Sequence, residues 1–168
     1  MMKRRQLLLS MAAMGLANCS RSKFRSYDGP EVTRIIVEKE KRLMFLMHEQ
    51  SVLTHFDVEL GFTAAGHKQF EGDGKTPEGH YFIDRRNPNS DFHLSLGVSY
   101  PNAADRRYAE AAGKSPGGDI FVHGRPNGVS RRKDLGPDWT AGCISVTNKE
   151  MEVVYAMVRT GTPIYIAA

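Results

Sequence analysis

Short apolar runs of strand length fill much of the chain, and turn-forming or charged residues separate them. Within 51–60, Val52, Phe56 and Val58 alternate with polar neighbours, which is the two-residue period of a half-buried strand. The breaks at 38–41 and 48–50 are short enough for a meander of antiparallel strands. The runs that predict strands are 32–37, 42–47, 51–60, 80–84, 91–97, 118–122 and 163–166.

The clearest helical pattern begins at Thr147. Thr147 and Glu150 have the spacing of a capping box, and Gly161 is expected to end the helix. Its apolar face is formed by Met151, Val154, Tyr155 and Val158. Residues 103–112 predict a second, short helix. With seven or eight strands, the pattern predicts a mostly β sandwich or barrel with one or two short helices, including one near the C-terminus.

The N-terminus has the layout of a secretory signal. Lys3, Arg4 and Arg5 precede an apolar run over 7–17, and no acidic residue occurs before Asp28. The run is too short to span a bilayer comfortably. We therefore predict a signal peptide over 1–19, a polar tether over 20–30 and one folded domain over 31–168.

Residues 16–19 resemble a bacterial lipoprotein box, in which Cys19 becomes the lipidated N-terminus and tethers the protein to a membrane. Residues 3–8 also resemble a twin-arginine signal, and a plain basic signal is the alternative. All three predict export to the periplasm or cell envelope. Removing 1–18 lowers the basic residues from 23 to 20 against 19 acidic ones, so nucleic-acid binding is not predicted.

Export leaves Cys143 as the one thiol in the body of the chain. His123 ends a predicted strand, and an imidazole beside a cysteine can accept its proton and activate it as a nucleophile. Gly142 permits close backbone approach to a substrate, and the amides near Cys143 could form an oxyanion hole. A buried, inert cysteine and an unrelated strand-end histidine are the alternative that local chemistry leaves open.

The order of these residues resembles the L,D-transpeptidase (YkuD-like) catalytic domain. His123 and Gly124 are followed, after the family's characteristic interval, by 140–144, which match its nucleophile motif. Residues 74–81 resemble the family's Thr-Pro-x-Gly strand entry. The resemblance spans 32–166, and is greatest to the periplasmic murein L,D-transpeptidases.

This resemblance implies an acyl transfer on peptidoglycan stem peptides without a cofactor. Cys143 would attack an amide at the meso-diaminopimelate centre, with His123 as general base. The carbonyl of Gly124 would orient the imidazole, and the amides around Gly142 and Cys143 would hold the oxyanion. The acyl-enzyme would pass to an amine, which gives a cross-link, or to water.

The chain also departs from the family pattern. Ala141 stands where many members have a second histidine, and Ser145 stands where many have Asn or Arg. Arg125 could bind a substrate carboxylate in place of that arginine, or lie on the surface. Thr140 matches the hydroxyl position of the motif and could support the loop. Trp139 could line a substrate groove or be a packed aromatic residue.

Two other functions remain open at this point. One is an L,D-carboxypeptidase or amidase on the same fold, which hydrolyses stem-peptide or protein–peptidoglycan bonds. The other is a non-catalytic wall-binding module. No pair of histidines has a metal-ligand spacing such as His-Glu-x-x-His, so no metal is predicted. His93 is expected on the exposed face of the strand over 91–97.

Overall fold

The computed structural model describes residues 22–128 and 135–168. The predicted signal segment with Cys19 lies outside the described residues. The strands are β1 Arg34–Glu38, β2 Leu43–His48, β3 Ser51–Asp57, β4 Gly79–Asn87, β5 Ser95–Val98, β6 Phe121–His123, β7 Ile144–Ser145 and β8 Pro163–Ala167. The helices are α1 Ala103–Ala111 and α2 Asn148–Met157. None of the helices in this part of the chain has the length and apolarity needed to cross a membrane.

The eight strands form one sheet in the order β3-β2-β1-β8-β4-β5-β6-β7. The antiparallel pairs β1–β2 and β2–β3 confirm the predicted meander. The β1–β8 and β6–β7 pairs are parallel. A bulge in β4 near Ile83 lets this strand pair with β8 at one end and with β5 at the other.

The two ends of the sheet are joined by the chain that follows β3. Glu59 and Ser145 exchange two backbone hydrogen bonds of 2.9 and 2.8 Å. The Thr140 N–H donates to the Leu60 carbonyl, and the Phe62 N–H donates to the Thr140 carbonyl. The sheet therefore curls on itself, which agrees with the predicted sandwich or barrel and brings β7 beside 59–62.

The core lies inside the curled sheet. Alternate residues of β1 and β8 are fully buried, as the two-residue period requires: Ile35, Val37, Ile164 and Ile166. The capping box of α2 is present, with the Thr147 hydroxyl accepting from the Glu150 N–H and the Glu150 carboxylate accepting from the Thr147 N–H. The predicted apolar face of α2 is buried.

The prediction for the end of α2 is wrong. The helix ends at Met157, because Val158 adopts an extended backbone with ψ 133°. Gly161 follows in the turn before β8 with φ +92°. The glycine therefore shapes this turn and does not cap the helix.

The strand predicted over 91–97 starts four residues later, at Ser95. The chain turns at 92–94, where the Leu94 N–H donates to the Phe92 carbonyl and His93 has φ +70°. His93 is therefore not on the outer face of a strand; its Nε2 lies 3.2 Å from the Glu152 carboxylate of α2. The predicted strand over 118–122 likewise begins later, at Phe121.

Candidate active site

The parallel pairing of β6 and β7 brings His123 and Cys143 to one cavity. His123 ends β6, Cys143 directly precedes β7, and the register sets His123 opposite Ser145. Both side chains line a cavity of about 400 Å³. Trp139 and Thr140 line the same cavity, with Phe92 and Asp119 among the other residues. Residues 20 positions apart in sequence thus meet because two short strands are neighbours.

One hydrogen bond fixes the tautomer of His123. Its Nδ1 lies 2.6 Å from the Gly124 carbonyl oxygen. A carbonyl only accepts hydrogen bonds, so Nδ1 carries the proton and Nε2 holds the lone pair. The Ser145 hydroxyl donates to the same carbonyl at 3.4 Å. The imidazole can therefore accept a proton at Nε2 while its ring stays oriented.

The backbone that carries this carbonyl is itself fixed. Asn148, the first residue of α2, accepts from the Arg125 N–H through Oδ1 at 2.7 Å. A Cβ on Gly124 would lie 2.7 Å from that Oδ1 and 2.9 Å from the Phe92 carbonyl oxygen. No side chain fits there without a shift of its neighbours, so glycine is required at this position.

Aromatic side chains cover the imidazole of His123. The Phe92 ring centroid lies 4.5 Å from it, and Trp139 approaches edge-on at 5.7 Å. His123 is 3% exposed. Burial lowers the pKa of His123 below its ordinary value of 6.5, and the hydrogen bond to Gly124 opposes this only in part. The imidazole is therefore neutral at pH 7.

The Cys143 thiol lies between two backbone groups. Its Sγ accepts from the Phe121 N–H and donates to the Asp119 carbonyl, both at 3.4 Å. Burial raises the pKa of Cys143, while the Phe121 N–H stabilises the thiolate and lowers it. The free protein therefore holds a neutral thiol and a neutral imidazole in one cavity, a combination suited to proton transfer when the thiol attacks.

The loop that carries Cys143 is held by Thr140. The Thr140 hydroxyl donates to the Cys143 carbonyl at 2.7 Å and accepts from the Gly142 N–H at 3.1 Å. Gly142 has φ +134°, and a Cβ there would lie 2.6 Å from the Lys75 carbonyl oxygen. Thr76 follows, and its hydroxyl accepts from the Gly61 N–H. The Thr-Pro-x-Gly motif therefore packs directly behind the nucleophile loop.

Two predicted substrate residues lie beside the main cavity rather than on it. Arg125 and Ser145 line a neighbouring cavity of about 50 Å³, with Glu59 and Glu150 among the other residues. Trp139 lines both cavities. The structure thus places Ser145 behind the Gly124 carbonyl, while a substrate contact by Arg125 stays a prediction.

A second cavity also borders Cys143. This cavity, of about 320 Å³, shares Asp119, Ala141 and Cys143 with the main one, and Lys68 also lines it. Ala141 therefore borders both spaces. Within 22–128 and 135–168, no three His, Cys, Asp or Glu side chains are placed to hold a metal ion.

Sequence reasoning did not find Phe92, Asp119 or Asn148. They come from three separate segments, and no motif marks them. Asp138 is a further residue that no motif marks. It pairs with Arg42 at 2.7 Å and accepts from the Leu60 N–H at 3.0 Å, which fixes the start of the loop that carries Cys143.

A family model described as the L,D-transpeptidase catalytic domain (YkuD) matches residues 32–166. The chain belongs to this family. Membership of this family supports a function related to the peptidoglycan of the cell wall. The Escherichia coli K12 protein named "Putative L,D-transpeptidase YafK" is 28% identical over a match of 137 residues, and the match covers 78% of this chain and 48% of that protein.

Two solved structures have a similar fold. The helical cell shape determining protein Pgp2 from Campylobacter jejuni (K307A mutant) matches with TM-score 0.62 and 24% identity, over 83% of this chain and 48% of that one. Bd1075 of Bdellovibrio bacteriovorus matches with TM-score 0.56 and 28% identity, over 81% and 48%. The chain spans about half the length of these relatives.

Proposed function

We propose that this protein is an exported cysteine acyltransferase that acts on peptidoglycan stem peptides at meso-diaminopimelate. The observation that carries the proposal is the shared cavity of His123 and Cys143, with Nε2 of the imidazole left as the proton acceptor. Membership of the YkuD family supports the substrate class.

In the first step, Cys143 Sγ attacks the carbonyl carbon of the donor amide and its proton passes to His123 Nε2. The C–N bond then breaks, and Nε2 returns the proton to the leaving amine. This leaves a thioester on Cys143. In the second step, an acceptor amine attacks the thioester and loses a proton to Nε2. The C–S bond breaks and the thiol is restored.

The negative oxygen formed in each step needs a donor. The Gly142 N–H already donates to the Thr140 hydroxyl, so the Cys143 N–H is the better candidate for the oxyanion. Thr140 then acts by holding the loop, and Gly142 by allowing its close approach to Lys75.

The charge of the main cavity favours an amine-bearing substrate. Asp91 and Asp119 line it, and no Lys or Arg is among its described lining residues. The Asp91 carboxylate suits the free ammonium group of a diaminopimelate side chain, and Asp119 adds negative charge while it also pairs with Arg85 at 3.1 Å.

Hydrolysis is the second candidate, and Ala141 is the observation that favours it. A small side chain borders both spaces beside Cys143, where many relatives carry histidine. Water entering by the second space would release the acyl group as a free acid. The protein would then be an L,D-carboxypeptidase or an amidase that cleaves a protein–peptidoglycan bond.

The deciding experiment is a product analysis with purified disaccharide tetrapeptide. The full chain and its Cys143→Ala variant are incubated with this substrate, and products are followed by mass. A cross-linked dimer that depends on Cys143 is expected. Tripeptide without dimer would establish water as the acceptor, and no product that depends on Cys143 would move the assignment to a wall-binding module.

A further inference from the structure

Residues 22–25 belong to the predicted tether over 20–30, and two of them contact the loop that forms one side of the active-site cavity or the helix beside it. Lys23 is the one residue in 22–31 that is not exposed. Its Nζ donates to the Pro88 carbonyl at 2.6 Å and to the His93 carbonyl at 3.0 Å. These two carbonyls lie at the two ends of the loop 88–93, so one ammonium group closes that loop.

The loop 88–93 connects β4 to β5 and supplies one side of the cavity. Ser90, Asp91 and Phe92 line the cavity, and the Phe92 ring lies against His123. The Phe92 carbonyl oxygen also borders the space above Gly124. The position of this loop therefore sets how the imidazole of His123 is covered.

A second contact ties the same segment and the same loop to α2. Arg25 donates two hydrogen bonds, of 3.0 and 2.8 Å, to Oε2 of Glu152. The other oxygen of Glu152 lies 3.2 Å from Nε2 of His93. Glu152 thus joins the N-terminal segment to the loop.

The loop needs such support because its backbone is unfavourable on its own. His93 has φ +70°, a left-handed conformation that non-glycine residues adopt at a cost in free energy. Charge-assisted hydrogen bonds from an ammonium to two carbonyls are stronger than neutral ones. Lys23 donates such hydrogen bonds to the carbonyls of Pro88 and of His93, the residue with the left-handed backbone.

We propose that Lys23 is a positioning residue for the active site: by bridging the carbonyls of Pro88 and His93 it closes the loop 88–93 and holds Phe92 against His123. The proposal rests on the proposed function only for its effect on turnover. The effect on the Phe92–His123 contact is independent of what the enzyme catalyses.

The test compares three variants of the full chain by NMR at fixed pH. Lys23→Met removes the ammonium, Lys23→Arg keeps the charge and the donors, and Lys41→Met removes an exposed lysine whose ion pair is with Glu38. The readout is the nuclear Overhauser effect between the Phe92 and His123 rings, which lie 4.5 Å apart. Thermal unfolding is followed in parallel.

We expect this signal to be lost in Lys23→Met and kept in Lys23→Arg and Lys41→Met. With stem peptide, Lys23→Met should also lower kcat/KM roughly ten- to a hundredfold, because a small misplacement of a catalytic group is enough for that. An unchanged ring–ring signal in Lys23→Met would overturn the proposal, and so would an equal loss in Lys41→Met. If the wild-type chain shows no turnover with stem peptide, the proposed function fails, and the NMR comparison of the variants still tests the role of Lys23.

Discussion

At the scale of single residues, the candidate site is organised around one carbonyl oxygen. Gly124 O accepts from Nδ1 of His123 and from the Ser145 hydroxyl. This oxygen selects the tautomer that leaves Nε2 as a base, and the glycine that carries it has no room for a Cβ. Ser145 therefore acts through Gly124. It stands where many family members have Asn or Arg, and this difference leaves His123 as the base.

The pKa shifts of the two reactive groups predict how the thiol responds to pH. Burial raises the pKa of Cys143 above its ordinary value of 9.0 and lowers that of His123 below 6.5. Between these limits both groups are neutral. The rate of alkylation of the free enzyme by iodoacetamide should therefore keep rising through pH 9, because only the thiolate reacts.

The pH dependence of kcat/KM should differ from that of alkylation, because His123 accepts the proton during attack and needs only to be neutral. The acid limb of the pH dependence of kcat/KM should therefore lie below pH 6.5. The variant His123→Gln, which lacks the base, should have no measurable turnover. A plateau of alkylation between pH 6 and 8 would contradict this account, since it would reveal a thiolate–imidazolium pair already formed in the free enzyme.

At the scale of elements, two segments distant in sequence are pressed together behind the nucleophile. The loop before β7 meets the segment 74–76 through Gly142 and the Lys75 carbonyl. Thr76 links that segment to the chain after β3 through Gly61. The Thr-Pro-x-Gly motif thus supports the loop that carries Cys143. The order of the two motifs along the sequence does not reveal this contact.

This contact predicts unequal effects of alanine at two glycines with positive φ. Gly113 has φ +66° and open space around its Cβ position, so Gly113→Ala should lower the free energy of unfolding by about 1 kcal/mol. Gly142→Ala adds a backbone clash, and should cost about 3 kcal/mol or more. Chemical unfolding measures both.

Gly142→Ala should also suppress acylation of Cys143, whereas Gly113→Ala should not. Mass spectrometry of the acyl-enzyme checks this difference. Equal loss of stability in the two variants would show that the conformation of the backbone, and not the contact with Lys75, makes Gly142 necessary.

Much of the fold was predictable because the strands that build the core have a clear period. The strand β3 was predicted from alternation, β1, β2, β4 and β8 from short apolar runs between turns, and α2 from its capping box and apolar face. The strand β7 was missed because two residues carry no period. The segment 91–94 alternates like a strand, yet hydrogen bonds from Lys23 and the backbone turn it, and these partners are far away in sequence.

The site was predictable only as far as its motifs extend. His123 and Cys143 follow from a spacing that the family shares, and the structure sets them in one cavity. Phe92 and Asp119 reach the same cavity from other segments, and Asn148 supports it from α2. Such residues act through position in space, so single-sequence patterns do not identify them.

At the scale of the whole molecule, the sheet curls until its ends meet through 59–62 and 140–145. This closure builds the site, since the nucleophile loop belongs to the joining region. The N-terminal segment lies on the same side as the loop 88–93. An attachment of the chain close before Lys23 would therefore lie near the cavity.

The sequence motif at 16–19 predicts a lipid on Cys19. Bacterial cells that produce the protein are grown with an alkyne-tagged fatty acid, and incorporation is measured in two matched cysteine variants. Label should be lost in Cys19→Ser, with release of the protein from the membrane fraction, and retained in Cys143→Ser. Label that persists in Cys19→Ser would contradict lipidation and leave a cleaved signal peptide as the route of export.

The contacts of Lys23 have a consequence for where the protein can act. Lys23 lies four positions after Cys19, and a fully extended chain covers at most about 3.6 Å per position. A lipid on Cys19 would thus keep the backbone of Lys23 within about 14 Å of the bilayer surface. The loop 88–93, which lines the cavity, would then lie close to that bilayer, so wall material near the membrane would be within its reach and distant material would not.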